Sequence, residues 1–259
     1  MQIKTLKAQE TLDLLSLKLR MSERCFFTRF GDGDFAIMDP EAIGTVRGRS
    51  NRFRVTEELH KEIIESFSIC DEYYLKGHCA NFENEPGMEK IDLAHDPNDK
   101  WWNVEMLRIT QMHNTCNQKE FLNFCAFHYL SAFYPEAVKG FIDEFIREKS
   151  IMFVGCRERE KIENIFGKIK FYVHTPETDS YSNIDEWWPH VLENIENVDV
   201  LIPCSGFSSR VINKRLWNLD CNVHSIDFGS FIDPACGIIN RTWTRYAIPY
   251  IFKNFNDST

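Results

Sequence analysis

The chain alternates short apolar runs with longer amphipathic stretches, and this pattern predicts most of its secondary structure. Cys25–Phe30 is rich in aromatic residues, which suits a strand buried on both sides. Further strands are predicted at residues 73–77, 151–155, 169–173, 198–203 and 223–228. Apolar positions at helical spacing predict helices at residues 5–21, 56–69, 135–149, 157–166, 184–195 and 210–219.

The order of these elements predicts the fold class. Strands and helices alternate regularly in the second half, which is typical of an α/β protein with a mostly parallel sheet and helices on both faces. The apolar stretch 121–127 fits either a strand or a buried segment, and the polar stretch 81–100 predicts a long binding loop. No repeat or long linker divides the chain, so a single domain spanning residues 1–259 is expected.

An acidic, glycine-rich segment follows the first strand. It consists of Gly31, Asp32, Gly33 and Asp34. The glycines allow a sharp turn and a close approach to a ligand, and a turn there could bring both carboxylates onto one hard cation such as Mg²⁺ or Mn²⁺. Arg29 would add hydrogen-bond donors for a phosphate. The alternative interpretation is an ordinary Asp-Gly turn without a metal.

Composition narrows the functional class. Hydrophobic residues make up 43% of the 259 residues and charged residues 27%, which is typical of a folded globular protein. The net charge of −9 argues against nonspecific nucleic-acid binding. Nine cysteines without a Cys-x-x-Cys pair predict reduced thiols and a cytoplasmic location. No apolar run reaches about 18 residues, so no membrane span is expected.

Other candidate ligand-binding residues lie where predicted strands end, because parallel sheets bind ligands at their carboxyl edges. Gly155 ends one strand. The turn with Ser205, Gly206 and Ser208 precedes a helix, and free amides and hydroxyls there would suit a phosphate. The turn lacks a full dinucleotide fingerprint and a Walker lysine, so a plain serine N-cap is the alternative.

Two aspartates also lie near a glycine at the end of the last predicted strand. Asp227 and Asp233 surround a glycine turn at residues 227–233. Either residue could complete a metal shell or act as a general base. The alternative for each is a structural turn aspartate.

The segment at residues 27–35 resembles the Arg-Phe-Gly-Asp-Gly-Glu opening of the GT-D type glycosyltransferases, first catalogued as a bacterial domain of unknown function. The stretches 153–155, 200–206 and 225–230 look similar to later parts of that family and follow in the same order. The resemblance implies a Rossmann-like α/β fold. It also implies metal-dependent sugar transfer from a nucleotide-diphosphate sugar, with Mn²⁺ or Mg²⁺ as the ion.

The resemblance also implies roles for individual residues. The family's two metal-binding carboxylates map onto Asp32 and Asp34, where the second is a glutamate in the family. The family often has a histidine after the late Asp-x-Gly turn, and Ser230 stands there in this chain. Asp233 would then take over, or the ion would be held more weakly. We expect a UDP-sugar donor, a glycan or glycoconjugate acceptor, and inverting displacement with Asp34 or Asp233 as the base.

Two other functions stay open at this stage. A nucleotide- or carbohydrate-binding α/β module without catalysis would use the same fold with a structural acidic segment. A methyltransferase would need an acidic residue at the end of its second strand, whereas this strand ends in Lys76-Gly77-His78. The oligomeric state is not indicated by the sequence.

Overall fold

The computed structural model describes residues 4–47, 53–78, 116 and 118–238. The strands are β1 (Lys4–Thr5), β2 (Cys25–Phe30), β3 (Val46–Arg47), β4 (Phe53–Arg54), β5 (Tyr74–His78), β6 (Glu120–Asn123), β7 (Ile151–Gly155), β8 (Ile169–His174), β9 (Val200–Cys204) and β10 (His224–Ile226). The α-helices are Ala8–Met21, Asp32–Ile37, Glu57–Ser68, Ala126–Phe133, Pro135–Phe145, Arg159–Phe166, Ile184–Asn194 and Ser208–Asn218. Short 3₁₀ helices span Pro40–Ala42, Ile195–Asn197, Gly229–Ile232 and Pro234–Cys236.

Eight strands form one parallel sheet in the order β1-β6-β5-β2-β10-β9-β7-β8. This confirms the predicted α/β class with a mostly parallel sheet. From β2 the chain builds outward through β5 and β6, then crosses to the other half of the sheet and ends beside β2 at β10. The strand order therefore reverses between β2 and β10, and ligands bind at such points in open α/β sheets.

The sheet is covered on both faces by apolar side chains. Phe27 on β2 belongs to one buried cluster together with Phe153 and Ile226. Its neighbour Phe26 points to the opposite face and packs in a second cluster with Met152. Alternation of this kind is what a strand buried on both faces requires. No helix in the described part of the chain is long and apolar enough to cross a membrane.

Some element boundaries differ from the prediction. Lys4–Thr5 pairs with β6 as an edge strand, so the first helix begins at Ala8. The ambiguous stretch after residue 120 contains β6 and then the helix Ala126–Phe133, in which seven of eight residues are buried. A helix buried on nearly all sides shows no hydrophobic periodicity, so its pattern could not reveal it. The loop predicted at residues 81–100 lies outside the described residues.

A chain of buried polar groups joins the two central strands to one helix. Asn213 on the helix Ser208–Asn218 donates from its side-chain nitrogen to Thr28 Oγ1 of β2 at 2.8 Å. Its side-chain oxygen accepts from Ser225 Oγ of β10 at 2.6 Å. All three residues are fully buried. Their hydrogen bonds therefore fix how β2 and β10 sit beneath the helix.

We expect Asn213→Ala to lower the free energy of unfolding by about 2–4 kcal/mol. The change removes a buried acceptor from Ser225 and a buried donor from Thr28. Urea denaturation measures the loss. Asn218→Ala is the matched control, because Asn218 ends the same helix and is exposed. Equal stability of the two variants would contradict a structural role for the buried chain.

Candidate functional site

The acidic segment after β2 forms a short helix and not the predicted glycine-hinged loop. Gly31 is the N-cap of Asp32–Ile37 and has an extended backbone, and its amide donates to Asp34 Oδ2 at 2.8 Å. Carboxylates in the first turn suit the positive end of a helix, which favours this conformation. Successive helical residues are about 100° apart, so Asp32 and Asp34 point in different directions. Asp32 is exposed and Asp34 is buried.

A buried guanidinium joins the ends of the two central strands. Arg210, in the first turn of the helix Ser208–Asn218, donates from Nη2 to Asp34 Oδ2 at 2.8 Å. Its Nη1 donates to Asp227 Oδ2, just after β10, at 3.1 Å. Nη1 also donates to the Gly206 carbonyl oxygen at 2.8 Å. The structure therefore brings Asp34 and Asp227 together around one cation and leaves Asp32 at the rim.

The cluster keeps unused acceptors. The Oδ1 atoms of Asp34 and Asp227 are both buried and accept no hydrogen bond in the described structure. With both carboxylates ionised, one guanidinium leaves a net negative charge. Burial raises the pKa of the Asp34 carboxyl above its ordinary value, and Arg210 and the Gly31 amide oppose that shift. A buried oxygen that accepts no hydrogen bond destabilises the folded state. The cluster is therefore expected to accept a proton or a cation.

Arg29, predicted to bind phosphate, lies beneath the turn that follows β10. Its Nη1 donates to the Phe228 carbonyl oxygen at 2.5 Å, and its guanidinium lies 4.1 Å from the centre of the Phe124 ring. Gly229 has a positive φ of 53°, and a Cβ there would overlap this guanidinium. Arg29 is only 3% exposed. Its described contacts therefore support the turn, and the phosphate role stays a prediction.

The serine hydroxyl groups in and after the turn that follows β9 form hydrogen bonds inside the protein. Ser208 is fully buried, and its Oγ lies 2.7 Å from Ser180 Oγ. Ser209 Oγ donates to the Pro203 carbonyl oxygen at 3.0 Å and accepts from the Ser205 amide at 3.1 Å. Gly206 has a positive φ of 65°, with open space where a Cβ would lie. The open side of this turn is thus the backbone at Gly206 and not the serine hydroxyls.

The remaining predicted residues lie at neighbouring strand ends. A Cβ on Gly155 would come within 3.0 Å of the Cys204 carbonyl oxygen, so glycine lets β7 and β9 end close together. Asp233 accepts from Arg157 Nε at 2.9 Å, and its side chain is 9% exposed. Arg157 Nη1 also donates to Glu177 at 2.9 Å. The structure therefore places Asp233 in a separate ion pair.

Ser230, where the resemblance in the sequence implies a histidine, has an imidazole beside it. His128 Nε2 lies 3.3 Å from Ser230 Oγ. His128 comes from the helix Ala126–Phe133, far away in sequence. The imidazole reaches this turn from another part of the chain, which a motif search over adjacent residues could not detect.

The carboxylates can hold a metal ion only together with other ligands that complete its coordination shell. No group of three or more histidine, cysteine, aspartate or glutamate side chains that could hold a metal occurs among the described residues. Asp34 and Asp227 each offer one uncommitted oxygen, and Asp32 offers an exposed carboxylate. Mg²⁺ is commonly held by one or two carboxylates together with substrate phosphates. The residues therefore fit an ion that completes its shell with phosphate oxygens.

Sequence reasoning missed Arg210, which contacts more of the site than any residue that it named. The available signal was a charged residue within a buried run: Ser208, Ser209, Val211 and Ile212 around it are all buried. An arginine on the packed face of a helix needs carboxylate partners. Strand-end aspartates were the obvious candidates for such partners.

Two solved structures are similar to this chain. One is a selenomethionine-substituted structure of domain of unknown function 1792, and the other is described as showing that this highly conserved domain has a distinct glycosyltransferase fold. Each matches with a TM-score of 0.65 and 19% sequence identity, over 90% of this chain and 80% of the other. This likeness shows the fold and agrees with the family resemblance predicted from the sequence. No protein-family model and no curated protein sequence matches the chain.

We expect Arg210→Met to lower the free energy of unfolding by about 3–5 kcal/mol, because it leaves two buried carboxylates without their cation. Adding Asp34→Asn and Asp227→Asn to the same variant should recover much of the loss. Urea denaturation measures both effects. Arg215→Met is the matched control on the same helix, since Arg215 pairs with Glu62 in a more exposed position, and about 1 kcal/mol is expected there. An Arg210 variant as stable as this control would refute the coupling.

Proposed function

We propose that this protein is a glycosyltransferase that moves a sugar from a nucleotide-diphosphate sugar to a hydroxyl group of a glycan or glycoconjugate. The observation that carries the proposal is the carboxylate pair Asp34 and Asp227, which lies where the strand order of the sheet reverses and keeps unused oxygens. The glycosyltransferase fold described for one similar structure supports the same class. A UDP-sugar is the favoured donor, on the family resemblance alone.

A divalent ion, Mn²⁺ or Mg²⁺, is part of the proposal. Asp32 and Asp227 would hold it, together with the diphosphate of the donor. When bound, the ion would stabilise the negative charge that develops on the leaving diphosphate. Arg210 would keep the Asp227 carboxylate in place, since it donates to one oxygen and leaves the other free.

Asp34 is the better candidate for the general base in an inverting displacement. Its pKa is raised by burial, and its Oδ1 accepts no hydrogen bond in the described structure. A raised pKa makes a carboxylate a stronger proton acceptor. Asp233 was the other predicted base, but Arg157 already binds its carboxylate at 2.9 Å. The acceptor hydroxyl would therefore lose its proton to Asp34 Oδ1.

The donor phosphates would lie against the turn after β9. Gly206 leaves open space on one side of this turn. Phe207 packs against Phe53 of the antiparallel pair β3–β4, with ring centres 4.1 Å apart. Arg54 follows Phe53 and Arg47 is its partner in the strand pair, so both bring positive charge near this turn.

One observation supports a second function, that of a binding module without catalysis. Arg210 already binds both buried carboxylates, and Asp32 points away from Asp34. A nucleotide- or carbohydrate-binding module without catalysis would need no more than this. Hydrolysis of a donor sugar in the absence of acceptor separates the two functions, because a binding module releases no sugar. The cytoplasmic location stays a prediction from the cysteine content.

Asp32→Asn should abolish UDP-sugar hydrolysis and transfer while the protein stays folded. Asp32 is exposed, so the change leaves the buried cluster intact and removes only a charge at the rim. Release of UDP measures the activity, and circular dichroism measures the fold. Glu41→Gln is the control, since Glu41 is also an exposed acidic residue near this helix. Full activity of Asp32→Asn would exclude Asp32 from the reaction.

Binding of the ion and binding of the nucleotide should depend on each other. Isothermal titration of the protein with UDP should give clear binding with Mn²⁺ and at least about tenfold weaker binding without it. Mn²⁺ titrated alone should bind weakly, since no cluster of three ligating side chains occurs among the described residues. Tight binding of Mn²⁺ alone, or equal UDP binding in both conditions, would contradict this arrangement.

A further inference from the structure

A basic cleft lies at the edge of the sheet opposite the candidate functional site. Its volume is about 440 Å³, and it lies where β7 and β8 begin. Five basic side chains and one acidic side chain line it: Arg147, Lys149, Arg159, Lys168, Lys170 and Glu148. The whole chain carries a net charge of −9, so this concentration of positive charge runs against its overall balance.

The two arginines are held in place. Arg147 lies 2.8 Å from Asp143, and its Nη2 donates to the Ile165 carbonyl oxygen at 3.3 Å. Arg159 lies 2.9 Å from Glu163 and also donates to a backbone carbonyl. Each guanidinium therefore has a nearby carboxylate and a fixed position. Anchored arginines lose little conformational entropy when they bind an anion.

Beside the two arginines and their carboxylates, the cleft is lined by three lysines and one further carboxylate, that of Glu148. Lys149, Lys168 and Lys170 are exposed, and none of them forms an ion pair with a carboxylate of the described residues. Lys170 Nζ donates to the Asn197 carbonyl oxygen at 3.2 Å, and this acceptor carries no formal charge. Three ammonium groups around one cleft repel each other, and a bound anion would relieve that repulsion.

A glycine determines how closely the two walls of the cleft approach. Gly167 has a positive φ of 89°, and a Cβ there would lie 2.9 Å from the Arg147 carbonyl oxygen. The turn before Lys168 can therefore pack directly against Arg147. On the other side, the Ser150 amide donates to Asp199 at 2.8 Å and fixes the start of β7. The cleft is thus built from two backbone segments in contact and not from one mobile tail.

We infer that this cleft binds a phosphate-bearing ligand at a site separate from the proposed donor site. Several ammonium and guanidinium groups around one space match an anion with several charged oxygens. The volume suits a small phosphorylated group, whereas a long nucleic acid would also meet the acidic remainder of the surface. The group could belong to a soluble compound or to a phospholipid head, and both present the same chemistry. The inference does not depend on the proposed sugar transfer.

The test compares two triple variants with equal net charge. One replaces the cleft lysines (Lys149→Gln, Lys168→Gln, Lys170→Gln), and the other replaces exposed lysines that do not line the cleft (Lys7→Gln, Lys61→Gln, Lys119→Gln). All six positions are exposed, so both variants should fold. Inorganic pyrophosphate is titrated by calorimetry without divalent metal. Vesicles of phosphatidylcholine with phosphatidylglycerol are tested by cosedimentation.

The wild type and the control variant should bind at least one probe, and the cleft variant should bind it at least about tenfold more weakly. Added salt should weaken that binding, because the contacts are electrostatic. Pyrophosphate binding would identify a soluble ligand, and vesicle binding alone would identify a lipid headgroup. Equal binding by both variants would place the anion elsewhere, including at the donor site, and would overturn the inference. Failure of the wild type to bind either probe would also overturn it.

Discussion

The contact of Arg210 with Asp34 and Asp227 is the constraint on which the arrangement of the site depends. Backbone hydrogen bonds and hydrophobic packing hold β2 and β10 side by side, but they give little direction to the loops that leave the two strands. The guanidinium supplies that direction, because its planar donors reach one carboxylate from each strand end and the Gly206 carbonyl. Three segments that are distant in sequence are thereby fixed around one group.

This contact also explains why the aspartates differ. Asp34 accepts hydrogen bonds from the Gly31 amide and from Arg210, and these groups compensate its charge inside the protein. Asp32 comes two residues earlier in the same helix and faces solvent. The buried carboxylates fix the geometry through Arg210, and each keeps one uncommitted oxygen. The exposed carboxylate of Asp32 is accessible from solvent.

The sequence predicted the central strands well, because a parallel strand covered on both faces is a continuous apolar run, as in Cys25–Phe30. It did not predict the edge pairing of Lys4–Thr5, since two residues carry no pattern. For the site, the aspartates could be found because they end strands. Arg210 was missed, because its neighbours in sequence indicate only a charged residue on a packed helix face. Its partner Asp34 lies 176 positions away, so the local pattern does not say which carboxylate it contacts.

The direction of the strands gives the molecule two chemically different edges. All carboxyl ends of a parallel sheet lie on one side, and here that side holds the carboxylate cluster, while the basic cleft lies where β7 and β8 begin. A nucleotide diphosphate approaching the carboxylates would meet the negative charge of Asp34 and Asp227 that Arg210 does not fully compensate. On the proposed function, a cation between the carboxylates and the diphosphate makes the binding more favourable. Dependence on the ion would then follow from the electrostatics of the cluster, and not from a preformed metal site.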